Sequence, residues 1–126
     1  MTAWRWIAAG AVSGLLSVAI GAFGAHALDL SGKFADNYDT GVQYQMFHAV
    51  GMMLAGIAAS RAGRPGLLRW AAALFALGTV LFSGSLYLYS ITEISAFGAI
   101  APLGGTSFIA GWALFAWGCR PPGGKA

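Results

Sequence analysis

Four long apolar stretches alternate with short polar connections along the chain. They cover about residues 4–25, 41–60, 70–88 and 97–118. Each is close to the roughly 20 residues that an α-helix needs to cross the hydrocarbon core of a bilayer. The chain left over is too short for a separate soluble domain. The pattern therefore predicts an all-α fold, in which residues 1–126 form one integral membrane four-helix bundle.

The first stretch also resembles a cleaved signal peptide. Arg5 could serve as its basic region, and Ala25-His26-Ala27 has the small residues of a cleavage site. We interpret the stretch as a span and keep cleavage as the alternative.

Composition supports lipid as the solvent of this chain. Hydrophobic residues make up 58% of the sequence and charged residues 9%, against about 25% charged in ordinary globular proteins. The basic residues are not interleaved with aromatic ones as on a nucleic-acid surface, so we do not expect nucleic acid as a partner. Cys119 is the only cysteine, which excludes an intrachain disulfide.

The basic residues predict an orientation. With four spans, six of them fall on one side of the membrane and only Lys33 on the other; the six are Arg5, Arg61, Arg64, Arg69, Arg120 and Lys125. The positive-inside rule then places both termini and the middle connection in the cytoplasm of a cell with this protein in its inner membrane.

Small residues indicate how the helices pack. Membrane helices associate through small side chains that let their backbones approach closely, and the first span carries such a stripe: Gly10, Gly14, Ser17, Gly21 and Ala25. In the fourth span, Pro102 removes a backbone N–H and is followed by Gly104 and Gly105. We expect this span to be broken or kinked near Pro102. The alternative is a helix that starts at Pro102, preceded by a loop packed on the bundle.

Polar side chains at the head of the second span raise the question of a site. Thr40 and Gln43 fit a capping box at the start of a helix. Gln45 and His48 fall on one helical face, and we expect that face to point at the end of the first span, where His26 lies. Glu93 is predicted to lie on the same side of the membrane as His26.

The predicted outer polar cluster therefore contains His26, Gln45, His48 and Glu93, near the break at Pro102, Gly104 and Gly105. Three roles are open: interhelical hydrogen bonds, a binding or proton-responsive site, or ligation of a metal or haem. Two histidines lack the third protein ligand usual for zinc, and we favour the first role. No catalytic constellation occurs in the sequence, so we predict no enzyme activity, no cofactor and no metal.

Four segments resemble a known family. They are GAFGAHAL at 21–28, YQMFHAVGM at 44–52, LGTVLFSGSLY at 77–87 and PLGGTSFIAGWAL at 102–114. They are similar to the YgdD-like family, a domain-of-unknown-function group of small bacterial inner-membrane proteins with eukaryotic relatives called transmembrane protein 256. The resemblance implies a multi-pass membrane protein of four spans and implies no particular activity.

Two functions remain open at this point. We favour a protein that acts by helix–helix association, with itself or with a larger membrane complex, because its helices have small-residue faces and little chain lies outside the bilayer. The alternative is a binding or transport module for a small solute, ion or lipid at the outer polar cluster.

Overall fold

The computed structural model describes residues 2–61 and 64–121, and these are almost entirely helical. Helices α1, α2 and α3 comprise Ala3–His26, Gly32–Arg61 and Pro65–Thr92. A single helical turn, Ser95–Gly98, precedes α4, Ala101–Gly118. The described ranges contain no β-strand, and the predicted all-α fold is confirmed.

Local signals mark the helix ends. Pro65 stands in the first turn of α3, where a missing N–H costs nothing. Glu93 ends α3 in the left-handed conformation, with φ of 60°. Pro102 lies in the first turn of α4, and the chain before it forms the separate turn Ser95–Gly98. The fourth apolar stretch is thus interrupted just before Pro102, and its long helix starts there as in the alternative prediction.

The predicted capping box at the start of α2 is wrong. The helix begins at Gly32, so Thr40 and Gln43 lie in its interior and cannot cap it. The extra turns are held by aromatic side chains: Tyr38 is buried and its hydroxyl donates to the Ile20 carbonyl of α1. The sequence between Gly32 and Thr40 contains no proline, so nothing stops the helix before these contacts are made.

Consecutive helices run antiparallel, as short connections require. Helix α2 packs along both α1 and α3, and α4 packs along α3. Buried Met52, Phe75 and Phe108 form the centre of the apolar core, one from each of α2, α3 and α4. This arrangement makes α2 the helix whose side chains can reach all the others.

The small-residue contacts predicted for α1 are present. A Cβ added to Gly10 would lie 2.6 Å from the Ala49 carbonyl oxygen of α2, and one added to Gly21 would meet Val42 at 3.3 Å. Helices α3 and α4 approach as closely, since a Cβ on Gly104 would lie 2.3 Å from the Phe82 nitrogen. Glycine therefore sets the separation of both helix pairs.

Candidate functional site

Gln45 uses both ends of its amide to join three helices. Its side chain is 4% exposed. The nitrogen Nε2 donates to the Ser13 carbonyl of α1 at 3.1 Å, and the oxygen Oε1 accepts the Tyr87 hydroxyl of α3 at 2.7 Å. A buried amide with partners on both sides avoids the penalty of an unsatisfied polar group. Gln45 thus hydrogen-bonds to two other helices, through Ser13 of α1 and Tyr87 of α3.

His48 is held as a neutral ring by two partners. Its Nδ1 lies 2.7 Å from the Tyr44 carbonyl, which can only accept, and its Nε2 lies 3.0 Å from the indole nitrogen of Trp112, which can only donate. The proton must therefore sit on Nδ1. The ring also stacks on Phe108 with centroids 3.5 Å apart. With both nitrogens engaged, the imidazole has no lone pair available for a metal.

The remaining predicted site residues are divided between different parts of the fold. His26 and Glu93 are exposed at the ends of α1 and α3, and within the described ranges neither side chain hydrogen-bonds to Gln45 or His48. Pro102 is exposed, whereas Gly104 is buried against α3. Gly105 is the predicted residue that shares a groove with His48.

That groove lies between α2, α3 and α4 and has a volume of about 570 Å³. Its walls are mainly the aromatic rings of Tyr44, Phe47, Phe82, Phe108 and Trp112; Gln43, His48, Gly105 and Ile109 complete them. No charged residue is among them. The volume falls within the range of roughly 300–1,000 Å³ typical of small-molecule sites, which are also mostly apolar with a few polar groups.

Of the groove residues, sequence reasoning assigned only His48 and Gly105 to a site, and it missed the others, including Trp112 and Phe82. The spacing of Gly105, Phe108 and Trp112 at steps of three and four was an available signal, since it places all three on one face of α4. Phe82 had no such signal, because its position depends on an irregular segment of α3.

This irregular segment is a π-helix over Thr79–Gly84. Ser83 in the segment donates to the Gly41 carbonyl of α2 at 2.7 Å, and Phe82 contacts both the groove and Gly104. π-helical segments are rare and frequently occur at functional sites. The groove therefore has an unusual backbone feature in its wall as well as a suitable volume.

These features define the class of protein. Within the described ranges, three helical segments are long and apolar enough to cross a membrane: α1, α3 and Ser95–Gly118. The described residues contain no group of three or more His, Cys, Asp or Glu side chains that could hold a metal ion. The chain is a helical membrane protein.

Comparison with known proteins identifies its family. Residues 20–105 match the family described as "Protein of unknown function (DUF423)". The chain is 47% identical over 113 residues to UPF0382 membrane protein YwdK of Bacillus subtilis (strain 168), covering 86% of this chain and 90% of the relative. It is 41% identical over 107 residues to UPF0382 inner membrane protein YgdD of Escherichia coli (strain K12), covering 82% and 80%. The chain belongs to this family of membrane proteins, which confirms the resemblance found in the sequence. No solved structure matches it.

Proposed function

We propose that all four helices cross the inner membrane, with both termini and the connection between α2 and α3 in the cytoplasm. The support is the distribution of charge. Arg5, Arg61 and Arg64 lie at one end of the helices, whereas all the acidic residues lie at the other: Asp29, Asp36, Asp39 and Glu93. Reporter fusions at Lys33 and Gly66 test the orientation, and a cytoplasmic signal at Lys33 would overturn it.

Helix α2 is not among the apolar span candidates, but two polar side chains in its middle, Gln45 and His48, face inward. Gln45 and His48 are 4% and 3% exposed, and both hydrogen-bond inside the protein. The exposed side chains of its middle are apolar, including Phe47, Val50 and Leu54. Buried polar groups with partners do not face lipid. The mean hydropathy of α2 counts them all the same, so it underestimates how well the outer face of this helix suits a bilayer.

Within this arrangement, we propose that the protein binds an uncharged, largely apolar molecule from the bilayer in the aromatic groove. The observation that carries the proposal is the groove itself, about 570 Å³ bounded by five aromatic rings. A charged ligand would be buried there without a charged partner, which is strongly unfavourable. Gln43 lines the groove and makes no side-chain hydrogen bond within the described ranges, so its amide is available for one polar group of the ligand.

The association role favoured by the sequence remains a second proposal. Its support is that only 11% of the residues in the most apolar part of α1 are buried, which leaves most of that helix for lipid or another helix. A defined oligomer, or a defined partner retained in mild detergent, would support it; a strict monomer with nothing attached would contradict it.

The binding proposal can be tested by fluorescence of Trp112. A variant that keeps only this tryptophan is reconstituted in phosphatidylcholine vesicles, with or without bromine on the acyl chains, because bromine quenches indoles that it touches. We expect strong quenching, which would show that an acyl chain enters the groove. Gly105→Leu should reduce it, because a Cβ at Gly105 has only Phe82 nearby, at 3.9 Å, and the added side chain would occupy the groove.

A matched control uses Trp117 as the only tryptophan. Trp117 is 53% exposed and does not line the groove, so its quenching should be unaffected by Gly105→Leu. The proposal fails if Trp112 is not quenched in the protein that retains Gly105, or if Gly105→Leu leaves the quenching of Trp112 unchanged. Either result would show that acyl chains do not enter the groove.

A further inference from the structure

Thr40 and Gln43 have no structural role in α2 once the capping box is excluded. Both lie in the interior of the helix, and neither side chain makes a hydrogen bond in the described part of the chain. A threonine inside a helix can turn its hydroxyl back to the carbonyl four residues earlier. Thr79, Thr92 and Thr106 do so, at 2.6–2.9 Å. The Thr40 hydroxyl differs from theirs because it makes no such bond.

These two side chains belong to a line of uncharged polar residues on the groove face of α2. Asn37, Thr40 and Gln43 follow one another at steps of three, and Phe47, which forms a wall of the groove, comes four residues later. Such steps place residues on one face of a helix. The three polar residues cover about 9 Å of the helix, at 1.5 Å per residue. The groove face of α2 therefore changes from aromatic to polar toward the start of the helix.

The polar atoms of this line can be reached by a bound molecule. Gln43 is exposed, and Asn37 and Thr40 are partly exposed. None of their side-chain nitrogens or oxygens is buried without a partner, and Asn37, like the other two, makes no side-chain hydrogen bond within the described ranges. Amides and hydroxyls both donate and accept hydrogen bonds. The line is therefore suited to a molecule that carries hydroxyl groups.

The length of α2 places this line near the membrane surface. Its 30 residues extend about 45 Å, whereas the hydrocarbon core of a bilayer is about 30 Å thick. The surplus lies at the start of the helix, because the charged residues Lys33, Asp36 and Asp39 are there. If α2 spans the bilayer as proposed, Asn37 and Thr40 lie at the depth of lipid headgroups and the groove lies beside the acyl chains.

The charge beside this line disfavours a phosphate headgroup. Asp36 precedes Thr40 by four residues, so the two side chains are neighbours on the helix surface. The ammonium of Lys33 lies over the Phe34 ring at 5.2 Å, and Asp36 makes no ion pair in the described part of the chain. A phosphate at Thr40 would be repelled by this carboxylate, whereas a hydroxyl can donate a hydrogen bond to it. The headgroup that fits carries hydroxyls and no phosphate.

We propose that the ligand of the aromatic groove is an uncharged glycerolipid with free hydroxyl groups. Its hydroxyls bond to Gln43, Thr40 and Asn37, and one acyl chain runs along the groove toward Trp112. Both α2 and α4 start at this end of the molecule, and Trp112 lies seven residues beyond Gly105, about 10 Å deeper. The polar line and the groove therefore follow one another in the direction of the lipid chain. This inference rests on the proposed binding in the groove and adds the headgroup.

The test uses the full chain with Trp112 as its only tryptophan, in vesicles of unbrominated phosphatidylcholine. Three probes with the same dibromostearoyl chain are titrated separately: the monoacylglycerol, the methyl ester and the phosphatidylcholine. The methyl ester lacks the hydroxyls, and the phosphatidylcholine adds a phosphate. We expect the monoacylglycerol to quench Trp112 at a mole fraction about fivefold lower than the methyl ester, since one net hydrogen bond changes affinity by about that factor.

Variants of the polar line test the headgroup contacts. Thr40→Val keeps the shape of the side chain and removes its hydroxyl, and Asn37→Leu removes an amide; each should weaken the monoacylglycerol by about two- to fivefold and leave the methyl ester unchanged. Thr106→Val is the matched control, because the Thr106 hydroxyl donates to the Pro102 carbonyl and does not line the groove. A variant that still responds to the methyl ester has an intact groove, and Asn37→Leu carries the test if Thr40→Val does not fold.

Three results would overturn the glycerolipid and leave the groove proposal intact. The methyl ester could quench Trp112 as well as the monoacylglycerol does. Thr40→Val and Asn37→Leu could weaken the monoacylglycerol no more than Thr106→Val. The phosphatidylcholine could quench at a lower mole fraction than the monoacylglycerol, which would assign the groove to a phospholipid. If none of the three probes quenches Trp112, the groove proposal itself fails, and this inference fails with it.

Discussion

The contact between Gly104 and α3 allows a sharp test of the packing. A Cβ at Gly104 would lie 2.3 Å from the Phe82 nitrogen and 2.7 Å from the Leu81 carbonyl carbon, both backbone atoms. Ordinary contact begins at 3.4 Å, so the helices would have to separate by about 1.1 Å (3.4 − 2.3). Backbone cannot rotate away as a flexible side chain can. Overpacking typically costs about 1–3 kcal/mol, and we expect Gly104→Ala to fall at the upper end, about 2–3 kcal/mol.

The adjacent glycine supplies the control. A Cβ at Gly105 meets only Phe82 Cδ2, at 3.9 Å, and alanine is favoured over glycine within a helix by about 1 kcal/mol. Gly105→Ala should therefore be neutral or slightly stabilising. The assay is equilibrium unfolding in mixed micelles with increasing dodecyl sulfate, followed by circular dichroism. Equal free energies of unfolding for the two variants would refute the close approach of α3 and α4 at Gly104.

Three further substitutions test the polar contacts by the same unfolding assay. Tyr87→Phe removes the hydroxyl that donates to Gln45 and should cost about 0.6–2 kcal/mol; no loss would mean that the bond contributes nothing. His48→Ala should cost about 2–5 kcal/mol, because it leaves a cavity beside a stacked ring. His26→Ala, at an exposed position, should stay within about 0.5 kcal/mol, and a loss matching that of His48→Ala would show that the two histidines act together.

Much of the helical framework could be predicted because its signals are local. Apolar runs of suitable length located the helices to within a few residues at most ends, and the Pro102 region marked the interruption before α4. The glycine stripe of α1 indicated a close contact before its partner was known. Each of these features depends on a residue and its near neighbours in sequence.

The start of α2 could not be predicted in this way. Its first turns are polar, and the capping signal at Thr40 was plausible on its own. What extends the helix back to Gly32 is a tertiary contact, the burial of Tyr38 against α1. A ring that packs beside Gly24 is visible only once both helices are in place, so tertiary packing overrode the local signal.

The partner of His48 was missed for a geometric reason. Gln45 and His48 are three residues apart, which at 3.6 residues per turn leaves about 60° between their directions around the helix. That angle is enough for Gln45 to reach α1 while His48 reaches α4. Periodicity shows that both face inward, but only the arrangement of the neighbouring helices determines which one each side chain meets.

The character of the aromatic groove follows from the polar contacts beside it. Gln45 and His48 lie in the middle of α2, and their hydrogen bonds are satisfied inside the protein. The groove is therefore left with aromatic walls and no charged residue. A buried charge would have no charged partner there, so the part of any ligand that enters this groove must be uncharged.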